Sequence, residues 1–93
     1  MSAGAAPIAR PGLEVVELDG ELVIYDPEGG DLHHLNRTAA IVWRLCDGTA
    51  APGEICREMA TVFEVSVDVV ERDVDDLLDQ LRRSNLIEMT EEG

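Results

Sequence analysis

Apolar positions along this chain follow two periods. Over residues 13–18 and 21–26 they are dense and rich in Val, Leu, Ile and Tyr, with Asp19-Gly20 between the two runs. That dipeptide accepts positive φ at low cost and predicts a two-residue hairpin. In the second run Leu22 and Ile24 share one face, and Val23 and Tyr25 share the other. A strand apolar on both faces suits the centre of a small sheet. Pro27-Glu28-Gly29-Gly30 predicts a second turn, and residues 31–35 a short third strand. The expected product is a three-stranded meander whose first and third strands are edges.

From residue 36 the spacing becomes helical. Asn36 is suited to cap a first helix through its side-chain oxygen. Ala39, Ala40, Ile41, Val42, Trp43, Leu45 and Cys46 cover nearly every face of that helix, which predicts a central, buried element. Arg44 is its one clearly polar interior position, and Gly48 fits the left-handed position that would stop it. Pro52 suits the first turn of a second helix, with Ile55, Met59, Val62 and Phe63 as its apolar stripe. Ser66 is positioned to cap a third helix. Val67, Val70, Val74, Leu77, Leu78 and Leu81 form the apolar face of that helix, and Glu71, Asp73, Asp75, Asp76 and Asp79 crowd its other faces. Leu86 and Ile87 are expected to tuck back onto the core. Residues 1–12, rich in Ala, Gly and Pro, read as a flexible N-terminal segment, residues 13–88 as the domain, and residues 89–93 as a polar tail.

A length of 93 residues sets one domain, and 45% apolar residues supply one modest core. With one Trp, one Tyr and one Phe, that core is aliphatic. The formal net charge of -13 repels phosphate backbones and disfavours nucleic-acid binding. It favours a basic partner, or a basic patch on a larger enzyme. Cys46 and Cys56 sit among apolar helix positions, without a Cys-x-x-Cys motif or a secretory pattern, so a reduced cytoplasmic compartment is expected. No run approaches the ~18 apolar residues of a membrane span.

Little in the chain points to catalysis. His33 and His34 are adjacent on an expected strand, so they face opposite sides and do not jointly hold a metal. Either one packs over the core while the other lines an outer groove, or both are ordinary strand residues. The carboxylates of the third helix are dispersed rather than paired, as on a solvated face. The glycines form no phosphate loop, and the serines lack a nucleophile's surroundings. Cys56 beside Ile55 reads as a buried structural thiol. The remaining feature is the edge of the third strand, whose free N–H and C=O groups are able to template another strand. It could equally be covered by the chain's own N-terminal segment or by a dimer partner.

The chain resembles the PqqD-like proteins, the recognition elements of ribosomally made, post-translationally modified peptides. The resemblance runs from about Leu13 to Ile87. It is carried by Tyr25-Asp26-Pro27-Glu28-Gly29, by Leu35-Asn36-x-Thr38-Ala39-Ala40, by Leu45-Cys46-Asp47-Gly48, and by Asp73-Val74 with Leu77, Leu78 and Leu81. It implies an α+β fold: a three-stranded antiparallel sheet followed by three helices, related to winged helix-turn-helix domains. It implies a non-enzymatic role without cofactor or metal. Such a protein binds the leader of a precursor peptide as an extra strand between the third strand and third helix. It then presents the leader to a modifying enzyme, a radical SAM enzyme or, in lasso-type systems, a leader protease.

Carried onto this chain, the leader edge is Leu32, His33, His34 and Leu35. The facing helix offers Glu71, Val74, Asp75, Leu78 and Arg82. Arg37 stands where members often have proline. Ala51 stands where a Ser/Thr cap is common, which predicts a frayed start to the second helix. The N-terminal stretch lacks the motifs expected of the pyrroloquinoline quinone pathway member itself, so another peptide is the expected partner. Two rivals stand beside this reading. One is a docking or structural subunit of a modifying-enzyme complex that binds no leader. The other is a winged-helix DNA-binding regulator, which the acidic third helix argues against.

Overall fold

The computed structural model describes residues 6–90. Within them the order is β1 (Pro7–Ala9), β2 (Glu14–Leu18), β3 (Glu21–Asp26), β4 (Asp31–Leu35), α1 (Arg37–Leu45), α2 (Pro52–Phe63), α3 (Val67–Arg83) and β5 (Ile87–Met89). The antiparallel sheet β2-β3-β4 followed by three helices is the α+β arrangement that the pattern predicts. Asp19 and Gly20 hold φ of 55° and 86°, both left-handed, and the turn pairs Leu18 with Glu21. Both φ values match the tight hairpin turn whose twist suits flanking strands. The second turn is built around Asp26, whose carboxylate accepts the N–H groups of Glu28 and Gly29 at 3.0 and 3.3 Å.

β3 is the central strand. Leu22 and Ile24 are fully buried beneath the helices, together with Val42 of α1, Ile55 and Met59 of α2, Val74 of α3 and Leu86. Asn36 caps α1 by accepting the Ala39 N–H at 2.9 Å. Trp43 donates its indole N–H to the Leu86 carbonyl at 3.1 Å, which ties α1 to the segment after α3.

The ends differ from expectation. Two short strands, β1 and β5, lie within or reach into the segments read as a flexible N-terminal segment over 1–12 and a polar tail over 89–93. Pro7, Ile8 and Ala9 pair antiparallel with Met89, Glu88 and Ile87. The Thr90 hydroxyl donates to the Ala6 carbonyl at 2.9 Å and accepts its N–H at 3.1 Å. On its other side β1 bonds the segment after α1, through Ala9 N–H to Cys46 C=O and Gly48 N–H to Pro7 C=O. These partners lie far apart in sequence, so local periodicity carries no trace of them. Residues 1–5 and 91–93 of those expectations lie outside the described residues.

Four helix details are also corrected. α1 stops at Leu45, with Cys46 as its C-cap; Gly48 is left-handed but lies beyond the cap, where it receives β1. Ser66 makes no side-chain cap bond, and its backbone carbonyl accepts the Val69 N–H instead. Val62 and Phe63 are exposed; the buried stripe of α2 is Ile55, Cys56, Met59 and Ala60. Small side chains at 56 and 60 complete this stripe beside Ile55 and Met59. At the start of α2 the Glu54 carboxylate accepts the Ala51 N–H at 2.9 Å, the half of a capping box that does not need a Ser or Thr. No helix among the described residues is long and apolar enough to cross a membrane.

Candidate functional site

The strand order leaves β2 and β4 as the sheet edges. Alternate residues of β4 direct N–H and C=O groups away from β3, and among the described residues no strand pairs with them. A cleft of about 280 Å³ opens there. Leu32, His33, His34 and Leu35 form its strand wall, Ala39 and Leu86 belong to its base, and Leu77, Gln80, Leu81 and Ser84 form its helix wall. Ala39, Leu81 and Leu86 are buried core residues, whereas Gln80 is exposed. The cleft therefore has an apolar floor, with the polar residues His33, His34, Gln80 and Ser84 along its walls.

Strand alternation separates the two histidines. His33 lies opposite Ile24, on the core-facing side, and is half-buried. His34 lies on the outer side, with Nε2 2.6 Å from the Glu21 carboxylate.

A second depression, of about 240 Å³, continues the first along α3. It is lined mainly by apolar residues, among them Met59, Phe63, Val65, Val69, Val70 and Val74. Leu77 borders both depressions. From residue 70 to residue 84 the helix rises ~21 Å, close to the length of a six-residue strand.

The four expected β4 residues line the cleft. The expected helix residues lie elsewhere. Val74 borders only the second depression and is almost wholly buried in the core. Asp75, Leu78 and Arg82 lie on the opposite flank, around a depression of about 170 Å³ with Pro52, Asp79 and Met89. Glu71 faces α2: with Asp75, its charge adds to the effect of burial in raising the pKa of the Cys56 thiol. Residues facing β4 are instead Leu77, Gln80, Leu81 and Ser84, one helical step round. Of these Gln80 had a sequence signal, as the one uncharged polar residue in α3.

The remaining electrostatics are structural. Burial pushes the Asp26 carboxyl upward, but the Gly29 and Glu28 N–H groups and the Arg10 guanidinium outweigh it and hold the pKa below the ordinary value. Arg83, with Arg82, lowers that of Asp79. Bonds from the Thr49 hydroxyl and N–H lower that of Asp47. Burial, with a smaller effect of Asp47, pushes the Cys46 thiol up to about 12. Among the described residues no group of three or more His, Cys, Asp or Glu side chains converges on a metal-sized site.

Comparisons with known proteins bear on this geometry. The profile of the family described as Coenzyme PQQ synthesis protein D (PqqD) matches residues 21–87. The solved structure "TbiB1 in Complex with the TbiA(beta) Leader Peptide" superposes with a TM-score of 0.77 at 24% identity, covering 91% of this chain and 99% of that one. "Lasso peptide synthetase B1 complexed with the leader peptide" superposes with a TM-score of 0.76 at 25% identity, covering 90% and 99%. No curated protein matches the chain.

Proposed function

The chain belongs to the PqqD family, and on that premise we propose that it is a non-catalytic peptide chaperone: it binds the leader of a ribosomally made precursor peptide as a fourth strand on β4 and presents it to a modifying enzyme. The observation that carries this reading is the β4 edge, unpaired among the described residues, facing an apolar-floored cleft under α3. An added strand gains main-chain bonds of ~0.5–1.5 kcal/mol each, too little for tight binding alone. The cleft floor and the depression beyond Leu77 supply places for buried apolar anchors, each worth ~1.5–3 kcal/mol. Alternate leader residues would reach them, so the pairing gives affinity and the anchors give selectivity.

Both structural relatives are described as complexes with leader peptides, which supports a leader as the ligand here. The likeness to a lasso peptide synthetase component favours a leader protease over a radical SAM enzyme as the partner. Two buried free thiols fit a reduced, cytoplasmic setting. The exposed face of α3, with Asp68, Glu71, Asp73, Asp75 and Asp76, opposes contact with phosphates.

The test is fluorescence polarisation with the labelled leader of the precursor encoded beside this chain. Saturable binding, abolished when a proline is placed within the pairing segment, is expected. Equal binding of a scrambled leader, or no binding by the folded protein, would favour the docking subunit that binds no leader.

A further inference from the structure

Among the described residues, nothing covers the opposite face of the same sheet. Strand register places Glu14, Tyr25 and Leu32 in one row across it, Val16, Val23 and His34 in the next, and Leu18 with Glu21 in the third. Relative exposures are 55% for Val16, 60% for Leu18, 37% for Tyr25 and 69% for Leu32. Clustered apolar side chains on one sheet face mark an interaction surface rather than chance exposure.

Its charge narrows the occupant. The carboxylates on this face are Glu14 and Glu21, the latter held by His34 Nε2 at 2.6 Å, and the face carries no arginine. The arginines lie elsewhere: Arg10 binds Asp26 and Asn85, and the others stand on the three helices. Stacking two copies face to face would oppose carboxylates between chains that each carry a net charge of -13. A partner with an apolar patch bordered by Lys or Arg is complementary instead.

Position narrows it further. A strand added to β4 projects alternate side chains onto this face, beside Leu32 and His34. Whatever sits there touches sheet and leader together. Resting on the leader-binding reading, we infer that the outer face of β2-β3-β4 is the docking surface for the modifying enzyme, which engages it through a basic-rimmed apolar patch and contacts the added leader strand across the same surface. Enzyme and leader then favour each other's binding by the same factor.

The experiment uses the full chain, the leader, and the purified modifying enzyme encoded beside the precursor. Val16→Lys and Leu18→Lys both lie on β2, away from the β4 edge. Each is expected to weaken enzyme binding by about tenfold or more while leader affinity stays within about twofold. Cross-saturation from the enzyme to the wild-type chain, which needs no variant, should reach the amides of β2 and β3. Enzyme binding that both substitutions leave unchanged, or cross-saturation confined to α2 and α3, would overturn the proposal. So would a dimer in sedimentation that the same substitutions dissociate. Failure of the leader titration alone would remove the leader-binding reading and is read separately.

Discussion

Arg10 and Asp26 join the end of β1 to the end of β3, with a guanidinium nitrogen 3.3 Å from a carboxylate oxygen and both side chains largely buried. The same guanidinium donates to the Asn85 carbonyl at 2.9 Å, so one residue fastens both chain ends to the turn before β4. Arg10→Ala is expected to lower Tm by several degrees, since a shielded carboxylate then loses its partner. Because the Asp26 pKa is depressed in the folded state, its contribution is complete above about pH 4 and is lost as the pH falls through the lower native value. Thermal melts of wild type and Asp26→Asn should differ most near neutrality and converge in acid.

Gly48 holds φ of 86°, and a Cβ there would lie 3.1 Å from the Ile8 side chain. Gly48→Ala therefore combines a left-handed alanine with crowding of β1, an expected loss of about 1–2 kcal/mol or more. Gly12 has a similar φ of 84° but open space around it. Urea unfolding of both alanine variants should rank Gly48→Ala as clearly the more damaging.

Cys46 donates its thiol to the Val42 carbonyl, and burial raises its pKa to about 12. Little thiolate exists at neutral pH, so the native protein should react slowly with an aromatic disulfide reagent. In denaturant the two cysteines should react rapidly, which a stopped-flow absorbance trace would record.

Much of the fold was legible because its signals are local. Asp19-Gly20 and Asn36 each dictate their own geometry, and the apolar run over residues 22–25, present on both faces, reveals a central strand. β1 and β5 were not legible: Pro7–Ala9 is too short to show a period, and its partners lie about 80 residues away. In the candidate site the strand residues followed from order along the chain. The helix residues required the rotation of α3, which is set by tertiary packing of Val70, Val74 and Leu81 against the core. An apolar stripe marks the buried side of a helix but not which of its borders meets the strand.

That distinction separates two sets of substitutions. Leu77→Asp, at the junction of the two depressions, should weaken leader binding by about tenfold or more. Leu78→Ala and Arg82→Ala, on the opposite flank, should leave it within about twofold. Polarisation titrations of the three variants, with circular dichroism to confirm folding, compare them directly.

The central claim is strand addition on β4 opposite Leu77, Gln80, Leu81 and Ser84. Its most direct measurement is an amide NMR titration of the full chain with the unlabelled leader. The account predicts saturable shifts largest over residues 31–35 and at 77, 80, 81 and 84, with slowed exchange of the outward-facing β4 amides. Saturable shifts centred on Asp75, Leu78 and Arg82, or none on β4, would contradict it.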